Sequence, residues 1–198
     1  MTSVAIINPL DVRDSYPPRP VVLVLVGMPG AGKTTAAKAL SPKLGWEHLD
    51  LDHEIERREG RRIDEIFAAD GESAFRGLER DVTRDVAIRA KGSAGTGSGL
   101  VVSAGGGWMS NQEAVALLRP HARIIYLRVS PEKALARLGS GTAERPLLKG
   151  NALAALTLLL DKRRAAYESA DTVLDVELFG VKEVTTKLYD LVANFGAR

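Results

Sequence analysis

A glycine-rich segment, LVGMPGAGKTT at residues 25–35, has the residue types and spacing of a loop that binds a polyphosphate. Gly27, Gly32, Lys33 and Thr34 satisfy the pattern G-x-x-x-x-G-K-[ST]. Glycines let backbone N–H groups turn inward around phosphate oxygens, and the following helix adds partial positive charge at its N-terminus. In such a loop the lysine reaches the β- and γ-phosphates, and the hydroxyl after it reaches Mg²⁺.

This motif predicts nucleotide binding but does not identify a reaction. A chance match at a glycine-rich turn is the alternative, and we disfavour it because of the context. The β-branched run VVLVLVG enters the loop, and the Ala-rich segment GKTTAAKAL leaves it with helical propensity.

Two carboxylates follow the next apolar stretch, in LDLDHEIERREG. Asp50 and Asp52 alternate with leucines along a stretch predicted to be extended, and we expect their carboxylates to point to different sides. We therefore expect one carboxylate to face a metal ion and the other to face an acceptor hydroxyl. The alternative is a helix N-cap followed by a solvated acid, and the spacing does not decide between the two.

Two further groups of residues could contact a ligand. Arg76 lies three residues before Glu79, close enough to pair on a helix, and we expect a solvated ion pair. The glycines of residues 105–107 follow an apolar run. They permit close backbone approach to a ligand, although a plain tight turn is nearly as ready an interpretation.

The elements that position these residues alternate in type. Five apolar runs have the character of strands, and helical segments separate them: VVLVLVG, EHLDL, LVVSAGGG, ARIIYLRVS and TVLDV. This order predicts an α/β fold with a parallel sheet between two layers of helices and ligands at the carboxyl ends of the strands. We expect Ser130 to cap a helix that has Pro131 in its first turn, and Pro42 to end or kink the first helix early.

Length and composition limit the number of domains and the classes of function that the chain can have. The 198 residues are enough for one good core, and 45% apolar with 26% charged residues is ordinary for a globular domain. The formal charge of +2 does not predict a nucleic-acid or membrane surface, and the lack of cysteine excludes disulfides and thiolate metal sites. We expect a flexible arm over residues 1–20, a single domain over residues 21–198 and, since no secretion signal is visible, a cytoplasmic protein.

Several motifs together resemble the shikimate kinase family. They occur in the order and near-spacing of that family over residues from about 21 to 175: GMPGAGKTT, LDLDHEIERREGRRIDEIF, DGESAFRGLE, SAGGG, ERPLL and KRRAAYESAD. The phosphate loop is widely shared, whereas DLD, FRGLE and GGG in that order are more specific. The resemblance implies a three-layer α/β/α P-loop kinase fold with a five-stranded sheet and a mobile lid at about residues 139–150. It also implies a monomeric enzyme that uses Mg²⁺ and transfers the γ-phosphate of ATP to the 3-hydroxyl of shikimate.

The matching positions imply roles for individual residues. Nucleotide binding would fall to Gly27, Gly30, Ala31, Gly32, Lys33, Thr34, Thr35, Arg137 and Arg145. The acceptor would contact Asp52, Arg76, Gly105, Gly106, Gly107 and Arg163. Thr34 and Asp50 would hold the metal ion and its water shell. Lys33, Asp52 and Arg145 would be catalytic, with Arg145 carried over the phosphates by the lid.

Two of these assignments keep an alternative. Arg76 and Arg163 would clamp the carboxylate of shikimate, since a guanidinium can bind a planar carboxylate through two parallel hydrogen bonds. Arg163 is preferred to its neighbour Arg164 because it lies four residues before Tyr167, as in the RxxxY pattern of the family. Arg137 would flank the adenine, or it would be a solvated charge at a helix end.

Trp108 and the segment VELFGVKEV depart from the family pattern. The family more often has a small or aliphatic residue after the glycines. We expect Trp108 to pack under a neighbouring helix rather than narrow the acceptor pocket. The segment replaces the region that usually closes over adenine, so we assign no adenine contact there.

Two other functions are weighed against this one. The first is a kinase of the same fold that acts on another small hydroxy acid or polyol, such as gluconate. The second is a module that senses a ligand without turnover. An intact set of Lys33, Thr34, Asp50 and Asp52 disfavours the sensor, and the leader of about twenty residues is too short for a fused DNA-binding domain.

Overall fold

The computed structural model describes residues 22–93, 98–139 and 151–194. Its centre is a parallel sheet with the strand order β2-β3-β1-β4-β5. The strands are β1 Val22–Val26, β2 Glu47–Asp50, β3 Leu100–Ser103, β4 Ala122–Arg128 and β5 Thr172–Asp175. The prediction of a five-stranded parallel sheet is confirmed. The expected arm and, apart from Gly139, the expected lid lie outside the described residues.

Helices connect the strands: α1 Lys33–Leu44, α2 Leu51–Glu59, α3 Ile63–Gly92, α4 Gln112–Leu118, α5 Pro131–Leu138, α6 Ala152–Glu168 and α7 Val181–Asn194. α1 packs against α7, α3 packs against both α2 and α4, and α5 packs against α6. Short 3₁₀ turns at Trp108–Ser110 and Arg119–His121 flank α4. No helix in the described part of the chain is both long enough and apolar enough to cross a membrane.

The central strand explains why helices cover both faces of the sheet. All five residues of β1 are buried. Because side chains alternate between the two faces of a strand, burial of every residue requires a helical layer on each side. The chain leaves β1 toward β2 on one side and later returns to β4 on the other. The loop after β1 therefore lies at the middle of the carboxyl edge, where ligands bind in sheets of this type.

The helix breaks follow the glycines. Gly60 ends α2, and Gly71 adopts φ 80° and ψ 176° inside the long run of α3. Ser130 caps α5 as predicted, and its hydroxyl accepts the N–H of Lys133. The expected early end at Pro42 is wrong. Pro42 lies in the last turn of α1, which continues to Leu44. Its missing N–H removes one hydrogen bond of the helix, and this loss does not end the helix before Leu44.

Candidate active site

The phosphate loop, residues 27–34, joins β1 to α1 at the centre of the carboxyl edge. Gly30 has φ 82°, and a Cβ there would lie 2.9 Å from the carbonyl carbon of Ala134, so only glycine fits. The Lys33 ammonium donates to the carbonyl oxygens of Gly27 at 2.9 Å and Met28 at 3.1 Å, which places its charge over the loop. Since α1 begins at Lys33, its first free N–H groups add to a site for an anion.

The other predicted residues of the loop differ in exposure. Ala31 is buried, and its N–H closes a turn onto the carbonyl oxygen of Met28. Gly32 precedes α1 with φ 90°. Thr35 is exposed in the first turn of the helix. The predicted loop residues thus lie in one continuous segment that runs from the end of β1 into the first turn of α1.

Asp50 lies where β2 passes into α2, and three hydrogen bonds hold its carboxylate. Its Oδ1 accepts the N–H of His53 at 3.3 Å, so Asp50 is the N-cap of α2. Its Oδ2 accepts the hydroxyls of Thr34 at 2.8 Å and Ser103 at 2.9 Å. Burial opposes the charged form, but these donors outweigh it and lower the pKa of Asp50.

The pair formed by Thr34 and Asp50 suits a hard cation such as Mg²⁺, which prefers oxygen ligands. Among residues 22–93, 98–139 and 151–194, no group of three or more His, Cys, Asp or Glu residues could hold a metal ion by itself. One carboxylate and one hydroxyl beside a phosphate loop fit an ion that takes its remaining ligands from water and phosphate.

Asp52 lies in the first turn of α2. The expectation that strand alternation separates the two carboxylates is wrong, because residues two apart in a strand point to the same face and because Asp52 is not in the strand. The strand ends at Asp50 because that side chain caps the helix, so Asp52 follows helical rather than extended geometry. A Cβ on Gly105 would lie 2.5 Å from Oδ1 of Asp52. Burial, followed by the negative charge of Asp50, raises the pKa of Asp52 to about 6 although Lys33 opposes the shift. A carboxyl with this pKa can exchange a proton near neutral pH.

The glycine turn, residues 105–107, accommodates one functional side chain at each position. Added Cβ atoms would lie, in chain order, 2.5 Å from Asp52 Oδ1, 3.1 Å from Arg163 Nη1 and 2.9 Å from Arg76 Nη1. A methyl group at any of these positions would displace its neighbour. The absence of side chains is therefore what lets a carboxyl and two guanidinium groups converge on one backbone segment.

Arg76 is held by two carboxylates of its own helix. Its Nη1 donates to Glu79 Oε2 at 2.9 Å and its Nη2 donates to Glu72 Oε1 at 3.0 Å. The prediction of a solvated pair is wrong for Glu79, whose side chain is 1% exposed. This face of α3 packs against the segment after the glycine turn, and a carboxylate buried there requires charged or polar donors.

Arg163 and Arg164 have different surroundings although they are neighbours on α6. The Arg163 guanidinium lies beside Gly106, whereas Arg164 pairs with Asp161 at 3.2 Å, where both side chains are more than half exposed. The buried Tyr167, one turn further on, donates its hydroxyl to the carbonyl oxygen of Gly106. The structure therefore places Arg163, and not Arg164, at the glycine turn.

Trp108 follows the glycine turn and packs under α3, as expected. It is fully buried, and its indole N–H donates to the hydroxyl of Thr83 at 3.1 Å. This side chain lies in the core and does not narrow the space in front of the glycine turn.

Arg137 lies in the last turn of α5 and contacts the segment VELFG between β5 and α7. Its Nη2 donates to the carbonyl oxygens of Val176 and Phe179. These bonds hold the segment on which Leu178 is 86% exposed. Both the adenine role and the role of a solvated charge stay predictions. Arg145 lies outside the described residues.

Sequence reasoning missed Ser103, Asn111 and the hydroxyl of Tyr167. Ser103 could have been predicted, because it is the last residue of its strand and the ends of neighbouring parallel strands lie side by side. In the structure Ser103 pairs in register with Asp50. Asn111 carries only the signature of a helix N-cap, and Tyr167 entered only as a spacing marker. Nothing in their sequence context indicates which distant residues they contact.

Comparison with known proteins places this chain in a family. The sequence model of the family described as "Shikimate kinase" matches residues 29–193. The shikimate kinase of Thermobifida fusca is 45% identical over 150 residues, 76% of this chain and 81% of the relative. The shikimate kinase of Chlorobaculum tepidum is 41% identical over 180 residues, and the match covers 84% of this chain and 90% of that relative. A solved structure titled shikimate kinase from Acinetobacter baumannii in complex with shikimate has a TM-score of 0.79 at 31% identity, covering 96% of this chain and all of that one.

The raised pKa of Asp52 predicts how stability depends on pH without nucleotide or metal ion. The folded-state pKa of about 6 lies above the unfolded value of about 4, so stability falls as pH rises through this interval. Asp52→Asn removes this loss. We expect the variant to exceed the parent by about 1–3 kcal/mol above pH 6 and to match it near pH 4.

Urea unfolding in EDTA from pH 4 to pH 8 measures this difference. Asp64→Asn is the control, because a hydrogen bond from Arg62 lowers the pKa of Asp64 and the effect has the opposite sign. A stability difference between Asp52→Asn and the parent that does not change with pH would contradict the assignment.

Gly107 and Gly77 allow a matched test of the glycine turn. Neither has positive φ, and a Cβ at Gly77 meets nothing within 4 Å, whereas at Gly107 it meets the Arg76 guanidinium. We expect Gly77→Ala to stabilise α3 by about 0.5–1 kcal/mol. Gly107→Ala should instead move the guanidinium and lengthen its 2.9 Å contact with Glu79. Crystal structures of both variants measure the shift, and an unmoved Arg76 in Gly107→Ala would refute the role of the missing side chain.

Proposed function

Since the chain belongs to the shikimate kinase family, we propose that it transfers the γ-phosphate of ATP to the 3-hydroxyl of shikimate. One observation carries the proposal: a carboxyl and two guanidinium groups converge on the glycine turn beside a phosphate loop. Two guanidinium groups can donate hydrogen bonds to the carboxylate of shikimate, and the carboxylate of Asp52 can accept a hydrogen bond from one of its hydroxyls.

The phosphate loop supplies the donor side of the reaction. Its backbone N–H groups and the Lys33 ammonium would hold the β- and γ-phosphates of ATP. Thr34 and Asp50, which share a hydrogen bond of 2.8 Å, would hold Mg²⁺ and its waters. When bound, Mg²⁺ neutralises charge on the transferring phosphoryl group. Arg145 stays a predicted contributor to the same neutralisation, brought in by the lid as water is excluded.

Arg76 and Arg163 supply the acceptor side. They lie at adjacent positions of the glycine turn, Arg163 beside Gly106 and Arg76 beside Gly107, and would bind the two oxygens of the shikimate carboxylate. This grip orients the ring so that the 3-hydroxyl faces Asp52. Most of the acceleration in phosphoryl transfer comes from positioning and electrostatics, so the two arginines contribute to the rate by fixing the acceptor.

Asp52 would orient the attacking hydroxyl and take its proton. The hydroxyl oxygen forms the new bond to the γ-phosphorus as the bond to the β-phosphate oxygen breaks and ADP leaves. With a pKa of about 6, Asp52 is mainly a carboxylate at neutral pH and can accept the proton that the hydroxyl loses. A strong base is not required for this reaction.

We further propose that the chain works as a monomer in the cytoplasm, where ATP is available. The exposed large apolar side chains of the described residues support a monomer because they are scattered over several elements: Phe67, Ile88, Leu158, Val173, Leu178, Val181 and Tyr189. Isolated apolar residues of this kind are normal on a protein surface.

An ADP-release assay with Mg·ATP tests the proposed function against its rivals. The panel of acceptors is shikimate, quinate and gluconate. We expect turnover with shikimate and none with gluconate. Turnover with gluconate alone would assign the chain to a different acceptor, and nucleotide binding with no ADP release from any acceptor would indicate a sensor.

Arg163→Ala and Arg164→Ala form a matched pair that tests the carboxylate clamp. A hydrogen bond to a charged group contributes about 1.5–3 kcal/mol, so we expect Arg163→Ala to raise the KM for shikimate about tenfold to a hundredfold. The KM for ATP should change little. Arg164→Ala, which loses only an exposed pair with Asp161, should stay within about twofold of the parent. Equal effects of the two substitutions would remove Arg163 from the clamp.

A further inference from the structure

Asn111 connects the glycine turn to the helix that carries Arg76. It is the N-cap of α4, and its Oδ1 accepts the N–H of Ala114 at 3.3 Å. Its Nδ2 donates to the carbonyl oxygen of Arg76 at 3.0 Å and to Glu79 Oε2 at 2.9 Å. One amide side chain therefore contacts the backbone of the arginine and the carboxylate that holds the guanidinium of the same arginine.

This set of bonds requires an amide. The oxygen of the side chain is committed to the cap of α4, so the nitrogen faces α3 and both of its hydrogens find acceptors. Aspartate and serine can accept the capping hydrogen bond, and both are favourable N-caps. Neither can also donate two hydrogen bonds to α3.

The carboxylate of Glu79 depends on these donors. Its Oε2 accepts both from Arg76 Nη1 and from Asn111 Nδ2, each at 2.9 Å. Its side chain is 1% exposed, so water cannot replace a lost donor without rearrangement. Two donors on one oxygen also fix the rotation of the carboxylate, and that rotation sets where the guanidinium lies.

The backbone around Asn111 is itself anchored to α3. Trp108 donates to the hydroxyl of Thr83, and this hydroxyl donates to the carbonyl oxygen of Glu79 at 2.7 Å. The glycine turn and Asn111 thus lie on either side of a residue fixed to α3. These contacts restrict the movement of Asn111 relative to Glu79, so the amide of Asn111 is held at a fixed position against α3.

We propose that Asn111 is a positioning residue for the acceptor: it fixes the Glu79 carboxylate, and through it holds the Arg76 guanidinium against the glycine turn. The proposal rests on the proposed function for the role of Arg76 as a carboxylate ligand. The side-chain hydrogen bonds of Asn111 go to α3 and α4, and among the described residues none goes to the phosphate loop or to Arg137. Its loss should therefore weaken acceptor binding and spare nucleotide binding.

Asn111→Ser and Asn111→Asp test this separation, because both keep a capping oxygen and remove the two amide N–H donors. Asn111→Asp also sets a second carboxylate beside Glu79. We expect the KM for shikimate to rise about fivefold to thirtyfold in Asn111→Ser and further in Asn111→Asp, with the KM for ATP within about twofold of the parent. Asn151→Asp makes the same change at the N-cap of α6, where the side chain accepts from Ala154 at 3.1 Å, and should leave both KM values nearly unchanged.

A double-mutant cycle with Glu79→Gln tests the route through Glu79. If Asn111 acts through this carboxylate, adding Asn111→Ser to Glu79→Gln raises the KM for shikimate little beyond Glu79→Gln alone. Additive effects would overturn the proposed route. Equal rises of both KM values in Asn111→Ser would show a general structural role and overturn the proposal.

A crystal structure of Asn111→Ser separates failure of this proposal from failure of the proposed function. A displaced Glu79 carboxylate and a longer contact with Arg76 support positioning whatever the acceptor is. An unchanged contact of 2.9 Å overturns it. Absence of turnover by the parent chain with every acceptor of the panel would instead refute the proposed function.

Discussion

A carboxylate taken out of water needs hydrogen-bond donors, and this requirement organises both halves of the site. Asp50 has lost much of its contact with water and is held by the hydroxyls of Thr34 and Ser103 and by the backbone N–H of His53. These donors come from three different elements. Satisfying one charge therefore ties the phosphate loop to the ends of β2 and β3. Glu79 imposes the same requirement on the opposite side, where Arg76 supplies one of the donors.

The glycine turn shows how a segment without side chains can define a site. Its three positions face Asp52, Arg163 and Arg76, which come from α2, α6 and α3. Side chains on the turn would push these groups apart. Close packing of functional groups on bare backbone also keeps them out of bulk water, where charges are screened strongly. The turn thus gathers groups from three helices on one side of the phosphate loop, and the order of the strands brings it there.

Prediction from the sequence succeeded for features that depend on residues close together in the chain. The phosphate loop, the strands around it and the cap at Ser130 follow from neighbouring residues, and each was confirmed as an element. Prediction failed where a side chain's surroundings come from distant segments. The helical geometry of Asp52 follows from the cap at Asp50, and the burial of Glu79 follows from packing against the segment that contains Asn111. Spacing cannot distinguish a buried ion pair from a solvated one.

The sequence by itself determined the parallel α/β class, the glycine-rich loop between β1 and α1 and, through several motifs in one order, the family resemblance. These properties depend on periodicity, residue type and local turn chemistry. Only the tertiary structure decided that Arg163 rather than Arg164 lies at the glycine turn, that Trp108 lies in the core, and that Ser103 and Asn111 support charged groups. The physical reason is that a hydrogen bond or a buried contact depends on the distance between atoms, and for these residues the partners lie far away in the chain.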